Sequence, residues 1–181
     1  EATIIFDAHG ATTAMDVKGH RHRKFWVDQD EWLPYIDVLK MNLEESQCMS
    51  FSNEYDTEIP SIYDDNATAH LDELALHVLK KGVSYFYVTM DSRGCILFQL
   101  DDDQLKKDWI ASIKVSKVVD TTGCGDSFAG GLAYGFAKYN DPVKAGQFAN
   151  ILGARRTQGK DWDVFKTAEE TEAIRVANYG S

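Results

Sequence analysis

An α/β fold is what this sequence predicts, with a mostly parallel central sheet and helices on both of its faces. Three observations carry that expectation. Short apolar runs of strand length alternate along the chain with longer stretches whose apolar residues recur at helical spacing. One pair of runs, Tyr85–Thr89 and Cys95–Leu100, is separated by the polar turn Asp91-Ser92-Arg93-Gly94, which reads as a hairpin and gives the sheet one antiparallel edge. Prolines are confined to Pro34, Pro60 and Pro142, and no repeat, low-complexity tract or proline-rich linker interrupts the chain, so it reads as one domain.

Strands are expected at Thr3–Phe6, Val38–Met41, Ser84–Thr89, Cys95–Leu100 and Ile113–Val119, each a short apolar or β-branched run. Helices are expected near Leu43–Met49, Ala67–Lys80, Ser127–Tyr139, Val143–Arg155 and Ala168–Asn178. Asn66-Ala67-Thr68 has the form of a glycosylation acceptor but reads better as the polar start of the helix after it. In open α/β sheets ligands bind beyond the carboxyl ends of the strands. The residues after the strands ending at Met41, Thr89 and Val119 are therefore expected to share one crevice.

With 181 residues, of which 44% are hydrophobic and 12% aromatic, the chain is long and apolar enough to bury a core. Nineteen basic against 29 acidic residues give a net charge of −10, which opposes a nucleic-acid or anionic-membrane partner. The single basic cluster, His20-Arg21-His22-Arg23-Lys24, reads as a solvated loop. No apolar run approaches the roughly 20 residues of a membrane span. Cys48, Cys95 and Cys124 are few, odd in number and far apart, which favours a reducing, cytoplasmic setting over a disulfide framework or a Cys-x-x-Cys metal site. A start at Glu1 in strand-like sequence, without methionine, suggests a processed or truncated polypeptide.

The most informative stretch is Asp120-Thr121-Thr122-Gly123-Cys124-Gly125-Asp126-Ser127-Phe128-Ala129-Gly130-Gly131. Glycines before a helix leave amide N–H groups uncovered, and the positive end of the helix dipole favours an anion in the same space. Asp126 in the first helical turn would repel a passively held phosphate, so its presence suggests chemistry. Three better-known motifs are excluded. A dinucleotide fingerprint would need glycine where Phe128 stands; a P-loop would need Ser or Thr after Gly159-Lys160, where Asp161 stands; a nucleophile elbow would need glycine at Ala129.

The segment from Asp120 to Gly131 resembles the C-terminal signature of the ribokinase-like (PfkB) carbohydrate and nucleoside kinases. Lys40-Met41-Asn42-Leu43-Glu44-Glu45 resembles the Asn-x-x-Glu motif of that family, and Val88-Thr89-Met90-Asp91-Ser92-Arg93-Gly94 its nucleotide-side turn, in the same order. The resemblance implies a ribokinase-like fold and covers nearly the whole chain. Residues 1–181 match only the C-terminal, nucleotide-binding and catalytic portion of the family pattern, with no counterpart to the N-terminal lid and sugar-binding portion. It implies ATP-dependent phosphoryl transfer to a hydroxyl of a sugar or related small molecule, with ATP and Mg²⁺ as cofactors and a possible K⁺. A non-catalytic relative that binds nucleotide or a partner subunit is the alternative. The isolated chain is expected to dimerise or to need a missing N-terminal portion, because a truncated sheet leaves an open edge.

By the same resemblance Asp126 is the base, and the amides of Gly123, Cys124 and Gly125 form the anion hole. Thr89, Ser92 and Gly94 fall beside the nucleotide's phosphates and ribose, and Asn150 beside its adenine. Asn42 and Glu45 match the pair that places Mg²⁺ through waters; their spacing alone reads better as a helix capping box, and the match at 120–131 reverses that preference. Asp120 and the Thr122 carbonyl match positions that hold a monovalent cation, with an Asx-type turn as the competing reading. Asp91 departs from the family pattern, standing where glycine is usual. Asp7, at the end of the first strand, reads as a substrate-side or a structural residue, and with no matching motif the structural reading is preferred.

Overall fold

The computed structural model describes residues 2–8, 11–15, 21–24, 31–51 and 63–181. In chain order the strands are β1 (Ile5–Asp7), β2 (Ala11–Met15), β3 (Arg21–Lys24), β4 (Val38–Asn42), β5 (Tyr85–Thr89), β6 (Cys95–Asp101) and β7 (Gln104–Ile110). The helices are α1 (Leu43–Phe51), α2 (Leu71–Lys80), α3 (Cys124–Tyr139), α4 (Pro142–Arg156) and α5 (Ala168–Tyr179). A five-stranded sheet has the order β1-β4-β5-β6-β7, and β2 with β3 forms a separate two-stranded sheet.

β1 and β4 are parallel, with Ile5 opposite Val38 and Asp7 opposite Lys40. The Asp37 carbonyl, just before β4, accepts from the amides of Ser84 and Tyr85 at the start of β5, so these strands also begin side by side. β5, β6 and β7 follow as a meander. Its first turn is closed by the Met90 amide donating to the Gly94 carbonyl at 2.7 Å. Its second is the two-residue turn Asp102-Asp103, both at positive φ (47° and 61°), the backbone that a tight hairpin requires. Thus β1, β4, β5 and β7 run one way and β6 the other. Phe86, Tyr87 and Val88 of β5 are completely buried, as expected for a strand covered on both faces.

The structure corrects several expectations. Residues 113–119 are not a strand: no ladder engages them among the described residues, and Val118 and Val119 are exposed. The amides of Val119 and Asp120 instead donate to a single carbonyl, that of Thr157, at 2.7 and 3.2 Å. The strand in this region is β7, whose lysines and aspartate hide the usual apolar alternation. Arg21–Lys24 is not a loop but pairs with Ala11–Met15, Thr12 standing opposite Arg23, and His20 lies outside the described residues. α2 begins at Leu71, after turns over 63–70, so Asn66 does not cap it.

The chain divides into two compact units, Glu1–Val88 with Phe98–Lys106, and Thr89–Leu97 with Lys107–Ser181. In the first, α2 buries Leu71, Leu74, Ala75, Val78 and Leu79 along one face, and the rings of Phe86 and Phe98 stack at 5.8 Å. In the second, α3 and α4 lie in close contact. A Cβ on Gly131 would stand 2.6 Å from the Ala149 Cα, and one on Gly135 2.6 Å from the Ala145 Cα. Caps fix the other helix starts: Asp141 accepts from the amides of Val143 and Lys144, and Thr167 with Glu170 forms a reciprocal capping box.

The glycine pair in this helix gives an internal contrast. Gly131→Ala forces the helices apart and is expected to cost about 1–3 kcal/mol. Gly130, with nothing within 4 Å of a Cβ, is expected to gain up to about 1 kcal/mol as alanine through helix propensity. Urea midpoints of the two variants should move in opposite directions.

Candidate active site

α3 starts without a side-chain cap. Gly123 occupies the N-cap position in the left-handed region (φ 78°, ψ 8°), a conformation that glycine adopts without steric cost. Its carbonyl accepts from the amide and the hydroxyl of Ser127, at 3.0 and 2.8 Å, which fixes the turn to the helix. The Cys124 amide donates to the Thr121 carbonyl at 3.2 Å. That leaves the amides of Gly125 and Asp126 without an acceptor among the described residues, at the positive end of a helix of 16 residues. Of the three amides expected to form an anion hole, that of Cys124 is already engaged in closing the turn.

The exposed Asp126 side chain folds back over this turn, its Oδ2 lying 3.7 Å from where a Cβ on Gly123 would be. The Nε of Arg156, the last residue of α4, is 3.4 Å from the same point. Sequence reasoning missed Arg156, because a basic residue in a last helical turn has a sufficient explanation in the helix dipole. Its Nη1 donates to the Gly159 carbonyl at 2.5 Å.

Asp120 adopts the Asx-type turn that was one of its two readings, with Oδ1 accepting from the Thr122 amide at 2.9 Å. The Thr122 amide and hydroxyl, and more weakly the charges of Arg156 and Lys160, hold this carboxyl below the usual carboxylate range. A monovalent cation would need several converging oxygens not already engaged by donors. Here the Gly159 carbonyl receives a guanidinium, the Thr157 carbonyl receives two amides, and Asp120 Oδ1 accepts from the Thr122 amide. The Thr122 carbonyl, the second expected ligand, accepts from no main-chain donor among the described residues, but with its neighbours engaged and a guanidinium beside them the set does not fit such an ion.

Asn42 and Glu45 form the capping box of α1. The Glu45 amide donates to Asn42 Oδ1 at 2.7 Å, and the Asn42 amide donates to Glu45 Oε2 at 2.6 Å. Both are oxygen donors of the kind magnesium accepts, and Glu45 is only 9% exposed. Among the described residues no group of three or more His, Cys, Asp or Glu gathers to hold a metal unaided. Asn42 and Glu45 belong to the first compact unit, whereas residues 89–94 and 120–126 belong to the second. Asp7 pairs with Lys40 at 2.7 Å.

The turn expected on the nucleotide side holds Asp91 at φ 49°, in the backbone region where its departure from glycine is a strain. Asp91, Ser92 and Arg93 are exposed, and Thr89 is half-buried. Gly94, at φ 100°, is held against the chain at Ile110–Ser112. Asn150, expected beside the adenine, is engaged by the main chain. It is buried, and its Nδ2 donates to the carbonyls of Ile110 and Ala111 at 3.0 and 3.4 Å, fastening α4 to the end of β7. Cys48 and Cys95 are buried, and burial pushes the Cys95 thiol up.

A family model, the pfkB family carbohydrate kinases, matches residues 1–161. Adenosine kinase 2 of Arabidopsis thaliana is 27% identical over 142 residues, covering 74% of this chain and 38% of that protein. An uncharacterized sugar kinase of Archaeoglobus fulgidus is 32% identical over 77 residues, 42% of this chain and 29% of that protein. The structure of Arabidopsis thaliana ribokinase complexed with ribose and ATP superposes with a TM-score of 0.68 at 20% identity, covering 96% of this chain and 47% of that one. Ribokinase of Thermotoga maritima superposes with a TM-score of 0.63 at 24% identity, covering 83% and 45%. This chain spans less than half the length of these relatives. At such identities the structural likeness shows the fold, which is ribokinase-like, and no helix among the described residues is long and apolar enough to cross a membrane. The match over residues 1–161 goes further: the chain belongs to the pfkB family of carbohydrate kinases.

Proposed function

We propose that this chain is the nucleotide-binding and catalytic portion of a kinase that transfers the terminal phosphoryl group of ATP to a hydroxyl of a sugar or sugar-like small molecule. One observation carries the reading: an exposed carboxylate, Asp126, stands in the first turn of α3 beside uncapped amides. Phosphoryl transfer needs reactants in line, donors for the charge on the transferred oxygens, and a base at the attacking hydroxyl. The amides of Gly123, Gly125 and Asp126 supply donors. Asp126 accepts the proton as the acceptor oxygen bonds to phosphorus and the bond from phosphorus to the ADP oxygen breaks. Thr89, Ser92 and Gly94 line the nucleotide side. Asn42 and Glu45 would hold Mg²⁺ through waters, Asn42 Oδ1 and Glu45 Oε2 being engaged in the cap. Bound there, the ion neutralises phosphate charge.

Asp126→Asn is nearly isosteric and is expected to lower kcat about 10²–10⁴-fold with little change in thermal midpoint. ADP release is the measure, with MgATP and a panel of ribose, fructose and adenosine. An unchanged rate would exclude Asp126 as base. A second reading, nucleotide or partner binding without turnover, is favoured by Asp91, whose carboxylate stands at the turn assigned to phosphates. Calorimetric binding of MgATP without product across the panel would select it.

A further inference from the structure

The monovalent cation that the resemblance implies does not fit this site, and the side chain that stands in its way is itself a cation. We infer that the Arg156 guanidinium is a built-in positive charge for the Asp120–Asp126 turn, a positioning residue that replaces a bound monovalent ion.

Three contacts place it there. Arg156 Nη1 donates to the Gly159 carbonyl at 2.5 Å, which closes the segment after α4 onto the guanidinium. Arg156 Nε reaches within 3.4 Å of the Cβ position of Gly123, the residue whose left-handed turn aims the α3 amides. The Thr157 carbonyl accepts from the amides of Val119 and Asp120, so the residue following Arg156 is tied to the approach to the same turn. A guanidinium presents its donors in a fixed plane and stays charged at every accessible pH, so it can hold a carbonyl and project charge at once. A potassium ion would do both by collecting oxygens. Here a covalently attached group does so, and it further disfavours a second cation by like-charge repulsion.

The charge replacement is a statement about the turn; its consequence for rate rests on the phosphoryl-transfer reading. The test therefore has two arms on the full chain, using wild type, Arg156→Gln and Arg156→Lys, in potassium or tetramethylammonium chloride at equal ionic strength. In thermal unfolding, wild type should show the same midpoint in both salts, whereas Arg156→Gln should be lower in tetramethylammonium and raised specifically by potassium. In ADP release, wild type should change less than about two-fold between salts. Arg156→Gln should lose about 10²–10³-fold, the effect of losing one stabilising group at a developing charge, with partial recovery on adding potassium or in Arg156→Lys. A wild type activated or stabilised selectively by potassium would overturn the inference, as would Arg156→Gln insensitive to potassium in both arms. If no variant turns over while the thermal pattern holds, the charge replacement stands and the kinase reading falls.

Discussion

Gly94→Ala is expected to destabilise the second compact unit by about 2–6 kcal/mol, the sum of a forbidden backbone region and an overpacked contact. Gly94 sits at φ 100° and ψ −136°, which side chains rarely tolerate. A Cβ there would stand 2.1 Å from the Ile110 carbonyl oxygen, 2.6 Å from the Ser112 amide nitrogen and 2.8 Å from the Ala111 carbonyl carbon. All three are backbone atoms, so no rotamer change relieves the clash. The chain at 110–112 is itself fixed, since Asn150 and the Tyr179 hydroxyl, the latter at 2.6 Å, donate to these carbonyls. Urea unfolding checks this; a variant within about 1 kcal/mol of wild type would show that the approach of the two segments relaxes at little cost.

Asp7→Ala is expected to cost about 3–5 kcal/mol, the usual result of leaving a buried charge without its partner. The Lys40 side chain is 3% exposed in the middle of β4, and its Nζ donates to Asp7 Oδ1 across the parallel pairing of β1 with β4. The pair itself adds little over an apolar contact, because desolvation offsets most of the Coulomb attraction. The double variant Asp7→Ala with Lys40→Met should therefore recover most of the loss. Equal losses in the single and double variants would mean that the charge on Lys40 is not what makes Asp7 necessary.

The elements that the sequence showed clearly are those with a strong local signal. β5 and β6 are apolar runs around a polar turn, and α3 to α5 combine helical periodicity with starts at Gly123, Asp141 and Thr167. β7 and the β2–β3 pair were missed because their side chains carry no apolar alternation, and only backbone pairing makes them strands. The valines at 115, 118 and 119 have strand propensity, yet among the described residues no neighbouring strand takes their amides. At the candidate site, the turn from Asp120 to Asp126 was legible because its chemical groups are contiguous in sequence. The bonding of Asn150 to Ile110 and the pairing of Lys40 with Asp7 were not, because their partners lie 40 and 33 residues away.

Sequence alone determined the family resemblance, the strand and helix content of most of the chain, and the order of chemical groups from Asp120 to Asp126, since each depends on neighbours within a few residues. Tertiary structure decided which donors and acceptors in those motifs are already engaged. Asn42 and Glu45 bind each other, Asn150 binds main chain, the Cys124 amide closes its own turn, and Arg156 arrives beside Gly123 from the end of another helix. The physical reason is that hydrogen-bonding capacity is finite and is assigned in space. A motif specifies the groups, and packing decides which of them remain available to a ligand.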